Sequence, residues 1–161
     1  MRTRNLIVSV YVCLLMFSSI LALANTSTTI QTKINLLLKG WVVRNGESVA
    51  LDKEAVKPGE TITWAITSAN ETDGEVKNFV ATGLIPKGTE YITGSASAQA
   101  SLEFSLDNGK TWAARPMIRQ RGPDGTARVV EAPSSLYTDI RFIYSQLPPG
   151  SQTANYQVKV K

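Results

Sequence analysis

Ala154-Asn155-Tyr156-Gln157-Val158-Lys159-Val160-Lys161 decides the fold. Ala154, Tyr156, Val158 and Val160 alternate with Asn155, Gln157, Lys159 and Lys161. Successive side chains of a strand point to opposite faces, so this octet is a strand with one apolar and one wet face. The same period returns upstream. Ile140, Phe142 and Tyr144 alternate with Arg141, Ile143 and Ser145, and Leu102, Phe104 and Leu106 with Ser101, Glu103 and Ser105. In Thr61–Ser68, Ile62, Trp64 and Ile66 share one face, which places Trp64 in the core. β-Branched and aromatic residues dominate that segment, as a half-buried pleated surface prefers.

Weaker signals complete the series. Ile34, Leu36 and Leu38 alternate with Asn35, Leu37 and Lys39, and the strand continues through Trp41-Val42-Val43. Val76–Thr82 reads as a strand stopped by Gly83, and Glu90–Thr93 and Ala127–Val130 as short ones. Turns separate them: Arg44-Asn45-Gly46-Glu47, Lys57-Pro58-Gly59-Glu60, Pro86-Lys87-Gly88 and Leu147-Pro148-Pro149-Gly150. Asn-Gly supplies the positive φ that a tight hairpin demands. Leu102–Trp112 reads as a hairpin turning at Asp107-Asn108-Gly109-Lys110. Ala114–Gly125 has no period and reads as a loop carrying Arg115, Arg119 and Arg121. Helical spacing is absent beyond the leader, so the expected class is all-β, an antiparallel β-sandwich of immunoglobulin-like type.

Residues 1–24 stand apart. Arg2 and Arg4 precede a nearly unbroken apolar run from Leu6 to Leu21, and Ala22-Leu23-Ala24 gives the small-x-small pattern of a signal-peptidase site. The expected organisation is a signal peptide over 1–24, an extension with the first strand over 25–49 and a sandwich domain over 50–161. The lone Cys13 falls within the leader, where the preceding Tyr11-Val12 does not fit a lipidation site. Loss of Arg2 and Arg4 halves the formal charge of +4, which leaves little field to attract nucleic acid. The chain has 161 residues and no histidine, which removes imidazole bases, the Ser-His-Asp triad and most zinc and copper sites.

At this point the residues resemble a family. Val56-Lys57-Pro58-Gly59-Glu60-Thr61-Ile62-Thr63-Trp64 is similar to the opening of the bacterial and archaeal cell-surface repeat called domain of unknown function eleven. Asn70 with Gly74, then Val80 through Pro86, and Lys87-Gly88-Thr89-Glu90-Tyr91-Ile92-Thr93-Gly94-Ser95-Ala96 resemble its following turns and strands. Leu102–Trp112 and the close at Ile140–Gly150 resemble the longer members, so the likeness spans Val56–Lys161 in one copy. The family often carries Asp three residues before the proline, where this chain has Gly83. The resemblance implies an immunoglobulin-like sandwich of the cell envelope with no established active site.

Each candidate site has a plain structural reading beside the functional one. Ser105–Trp112 fits the Asp-box of sialidase-like propellers, but propellers need several such hairpins, so a capped turn is expected. The arginines between Arg115 and Arg128 suggest a patch for acidic glycans or headgroups. Asp124, Glu131 and Asp139 lie nearby, and a solvated loop is the simpler reading. Trp41, Trp112 and Tyr91 are the candidates for stacking on sugar rings. Glu71, Asp73 and Glu75 alternate, yet no glycine-centred twelve-residue calcium loop surrounds them. Asn25-Thr26-Ser27 and Asn70-Glu71-Thr72 are glycosylation sequons. No G-x-S-x-G elbow, S-x-x-K pair or phosphate loop occurs.

The expectation is therefore a non-enzymatic module, secreted, periplasmic or on the cell surface, without catalytic residues, cofactor or metal. It touches the membrane only through its transient leader and does not bind nucleic acid. It acts by protein–protein contact, its partner an envelope protein or itself. Two rivals are a filament subunit that donates Thr28–Val43 to the next sheet and a carbohydrate-binding module.

Overall fold

The computed structural model describes residues 33–52, 55–123 and 125–161. The leader, the start of the extension and the sequon at Asn25 lie outside the described residues. Among the described residues there are ten strands: β1 (Ile34–Arg44), β2 (Glu47–Ala50), β3 (Thr61–Asn70), β4 (Val76–Leu84), β5 (Thr89–Tyr91), β6 (Ser101–Ser105), β7 (Met117–Arg121), β8 (Ala127–Glu131), β9 (Asp139–Leu147) and β10 (Gly150–Val160). All pairings are antiparallel. A five-stranded sheet runs β2-β1-β3-β10-β5, a three-stranded sheet β4-β9-β6, and β7-β8 stand as a separate ribbon.

The two larger sheets pack face to face through the residues that the period of two selects. Val42, Ile62, Ile66, Ala154, Tyr156 and Val158 from the first meet Ala81, Ile140, Phe142, Tyr144 and Leu147 from the second. The Phe142 and Tyr156 rings lie 6.3 Å apart across the layers. Tyr91, Phe104 and Tyr137 close one end, with Phe104 and Tyr137 stacked at 4.6 Å. Each large apolar side chain buried here stabilises the fold by ~1.5–3 kcal/mol. β3 organises the first sheet, since β1 pairs with it from Ile34–Asn70 to Val42–Ile62 and β10 from Gly150–Asn70 to Lys159–Thr61. The first strand expected within 25–49 is β1, and through its ladder with β3 it belongs to the main sheet of the sandwich rather than standing outside residues 50–161.

Local chemistry explains the joins. Asn45 and Gly46 both take positive φ, 53° and 84°, which matches the twist of a two-residue hairpin between β1 and β2. Arg44 then ties that hairpin to the start of β3: its Nε donates to Glu60 Oε1 at 2.7 Å and its Nη2 to Oε2 at 2.9 Å.

Several boundaries differ from the sequence expectation, each for a physical reason. β4 does not stop at Gly83 but runs on to Leu84, because Gly83 pairs with Ile140 and leaves its empty side to the Tyr156 ring. The hairpin over Leu102–Trp112 keeps only one bridge on its return side, Phe104–Ala113, since β6 finds its ladder on β9. The short strand expected over Glu90–Thr93 is Thr89–Tyr91, in register with Val160–Val158. Ala114–Gly125, expected as a loop, contains β7. A ribbon paired only with β8 buries neither face on a sheet, so no alternation marked it.

Trp64 is half-buried rather than fully in the core. Its ring lies over Gly40, its cross-strand neighbour, where a Cβ would come within 2.6 Å of the indole. The first sheet is wider than the second, and β1 shows the consequence. Leu36 and Leu38 share the face of Val42, which is 2% exposed, yet they are 58% and 51% exposed.

Candidate interaction surfaces

The Asp-box segment is a turn whose polar groups are used within it. Ser105 is buried, and its hydroxyl donates to Asp107 Oδ1 at 2.8 Å while accepting from the Gly109 amide at 2.9 Å. Asp107 also accepts from the Thr111 amide at 2.8 Å and the Thr111 hydroxyl at 2.7 Å. Trp112 donates from Nε1 to the Gly109 carbonyl at 2.9 Å, and the Arg141 guanidinium sits 4.6 Å above its ring. These donors, Thr111 first, hold the Asp107 carboxyl at about 2, below its ordinary 3.8. A carboxylate pinned this way is a turn brace, and Trp112 is part of the brace.

Arg44 likewise holds Glu60 at about 2, from an ordinary 4.5, helped by the Lys57 amide. Both folded values lie below the unfolded ones, so the stability they contribute is present above the unfolded values and fades as pH falls towards the folded ones. The expected melting temperature is flat above about pH 5 and declines between about 4.5 and 2. Asp107→Asn removes part of that decline, which circular-dichroism melts across this range check. A wild-type decline that begins well above pH 5 contradicts the assignment.

The acidic trio does not converge. Glu71 turns to Lys33 at 2.6 Å, a contact that lowers the Glu71 value and raises that of Lys33, and also accepts from the Asn35 amide. Asp73 and Glu75 are exposed on the same turn. Among the described residues no group of three His, Cys, Asp or Glu gathers.

The three aromatic candidates for sugar stacking are kept apart. Tyr91 is buried in the end cluster with Phe104 and Tyr137, and so presents no free face. Trp112 braces its turn. Trp41 lines a recess of about 620 Å³ with Trp64, Leu38, Gly40, Ala50 and Leu51. Trp41 pairs with Thr63 and Trp64 with Gly40, so the two border this recess from different faces of the sheet. That arrangement is set by the β1–β3 register and the turn at Leu51, and is not visible in either local stretch of sequence.

The arginine-bearing segment is the β7–β8 ribbon. Arg119 opposes Val129, Gln120 opposes Arg128, and Arg121 opposes Ala127. Arg115 binds Glu131 at 2.6 Å at its base. Met117 and Val129 are exposed beside these charges, so the ribbon presents a mixed apolar and basic face.

The most exposed apolar run is the outer edge of β1. β2 covers only Trp41–Arg44 of this strand, and Leu51 donates from its amide to the Gly40 carbonyl at 3.0 Å. From Ile34 to Lys39 no strand among the described residues pairs with the side turned away from β3. Leu36, Leu37 and Leu38 lie there, each more than half exposed. An unpaired edge with apolar side chains is a template for another strand. Of the segment Thr28–Val43 expected as a donor strand, Ile34–Val42 forms the ladder with its own β3, and Thr28–Thr32 lies outside the described residues.

Among the described residues no helix is long and apolar enough to cross a membrane. Comparison with protein-family models, with curated proteins and with solved structures finds no match to this chain.

Proposed function

We propose that the chain is a non-enzymatic module of the cell envelope or its exterior that works by protein–protein contact through sheet edges. The observation that carries this reading is the open edge of β1 with exposed Leu36, Leu37 and Leu38. A fold that buries its core well yet leaves such a run uncovered among the described residues carries it for a partner. The leader pattern over 1–24 supports export, and the resemblance to the domain of unknown function eleven supports an envelope setting. The polar atoms of the Asp-box and of the Lys33–Glu71 pair are already matched within the fold, which favours contact over chemistry.

A photo-crosslinking residue placed at Leu36 or Leu37, in the host cell, tests it against the same residue at exposed Lys159. Protein adducts at the β1 positions, several-fold above Lys159, are expected. Equal or absent adducts overturn the reading.

The Trp41–Trp64 recess favours one second reading, carbohydrate binding. On that reading cell-wall polysaccharide shifts tryptophan fluorescence and Trp41→Ala abolishes the shift. An unchanged spectrum ends it.

A further inference from the structure

We propose that the partner of the β1 edge is a second copy of this chain, joined two-fold and antiparallel, β1 to β1, about Leu36. The inference rests on the protein-contact reading above and names its partner.

The direction of the backbone groups comes first. In an antiparallel ladder the residues of one strand alternate between those that bond to one neighbour and those that bond to the other. The Lys33 carbonyl accepts from Glu71 on the β3 side, whereas the Gly40 carbonyl accepts from Leu51 on the opposite side. Odd residues therefore serve β3. Ile34, Leu36 and Leu38 turn their N–H and C=O groups to the open edge.

The extent of the edge sets the register. Leu51 occupies the place opposite Gly40, so an added strand must end short of it. A two-fold pair that keeps both sandwiches on the same side of one continuous sheet matches residues of equal parity. Centring it on Leu36 uses Ile34 through Leu38 and stops before Leu51. Leu36 then faces Leu36 of the second copy, Ile34 faces Leu38, and Asn35 faces Leu37.

The side chains fit themselves in this register. On the core-side face every pair is apolar: Leu36 with Leu36, and Ile34 with Leu38 at both ends. These pairs cover the leucines that the narrower second sheet leaves bare. On the other face Asn35 meets Leu37, and just beyond each end Lys39 stands opposite Lys33 of the second copy. That like-charge pair is partly offset by the Glu71 carboxylate, 2.6 Å from Lys33, and keeps the contact weak. An interface of one strand pair and a few leucines is small, and the expected dimer is a reversible one. Because the same patch serves both copies, the contact closes on itself and makes a dimer rather than a fibre.

Single cysteines read the register. In a Cys13→Ser background, expressed from the full sequence and purified as the cell accumulates it, the introduced thiol is the only one. Leu36→Cys meets its counterpart directly, about 5.5 Å between Cα atoms, within reach of a disulfide. Leu38→Cys lies on the same face and is similarly exposed, but sits four residues from its counterpart along the strand, roughly 13 Å. Mild oxidation is expected to crosslink Leu36→Cys at least tenfold faster than Leu38→Cys. Light scattering at about 100 µM is expected to give the dimer mass for the parent and the monomer mass for Leu36→Glu, which sets like charges face to face at the axis. Leu36→Pro gives a second check, because it removes an N–H that β3 does not use and so keeps the fold. Circular dichroism of both variants is expected to match the parent.

Equal crosslinking rates, or a monomeric parent, overturn the proposal. A monomeric parent whose β1 positions still photo-crosslink to proteins of other mass overturns the second copy and leaves the contact reading standing. A monomer without adducts ends both.

Discussion

Gly83→Asp is expected to leave no cooperatively folded protein at neutral pH. A Cβ on residue 83 comes 2.6 Å from the Tyr156 hydroxyl oxygen and 2.7 Å and 2.8 Å from its ring carbons. That ring cannot step aside, because Tyr156 is fully buried, packs against Phe142 and donates to the Leu84 carbonyl at 2.8 Å. Overpacking of a tight core costs ~1–3 kcal/mol for the added methylene alone. The carboxylate adds the cost of an unpaired buried charge, still several kcal/mol after relaxation. Burial and then the charge of Asp139 already push the Tyr156 phenol upward, so a second carboxylate meets a site that disfavours negative charge. Together these terms approach the ~5–15 kcal/mol by which domains are stable. Gly83→Ala carries only the steric part, and urea denaturation is expected to show a loss of ~1–3 kcal/mol. Tyr156→Phe in that background removes the nearest atom and returns part of the loss. A Gly83→Asp protein that unfolds at the parent's urea midpoint refutes the packing argument.

The strands that the sequence disclosed are those with one face on the core and one in water. β3, β9 and β10 are such strands, and Ile62, Phe142, Tyr156 and Val158 lie buried where the alternation put them. β7 and β8 bury neither face on a sheet, so Met117–Arg121 carried no period to find. β1 shows the opposite failure. Its Ile34, Leu36, Leu38 series has the pattern of a buried face, but whether that face is covered depends on how many strands the other sheet contributes. That is a non-local property, and no window of β1 contains it. The same holds for the Trp41–Trp64 recess, which needs the Gly40–Trp64 register and the Leu51 turn together. The bracing bonds of the Asp-box were legible, because those of the Ser105, Asp107 and Trp112 side chains lie within residues 105–112 and turn chemistry is local. The bond from the Asn108 amide to the Thr138 hydroxyl spans thirty residues and was not.

Asn70→Asp is the second large effect, and its dependence on pH has the opposite sign to that of the parent. Asn70 is 2% exposed at the end of β3. Its Nδ2 donates to the Gly74 carbonyl at 2.8 Å and to the Leu147 carbonyl at 3.0 Å. Its Oδ1 accepts from the Thr72 amide at 3.1 Å and the Thr72 hydroxyl at 2.7 Å. One side chain thus closes the β3–β4 turn and fastens it to the end of β9. The sequon Asn70-Glu71-Thr72 is therefore expected to carry no glycan in the folded chain, since the amide nitrogen is enclosed and both its hydrogens are in use. Aspartate keeps the acceptor but sets a charged oxygen against two carbonyl oxygens. Breaking a buried polar network while leaving a charge unpaired costs ~3–5 kcal/mol. Protonation restores one donor, so the folded state raises the value of this carboxyl above its unfolded one. A raised folded value means that the proton is held more tightly in the fold, and stability is lost as pH rises through it. The variant is expected to be more stable at about pH 5 than at pH 7, where the parent is flat. Asn70→Ala separates the two contributions: it leaves the Gly74 and Leu147 carbonyls without this donor but adds no charge, and so loses ~1–3 kcal/mol with no gain on acidification. If Asn70→Asp and Asn70→Ala melt alike at both pH values, the side chain is not the buried clamp that these distances describe.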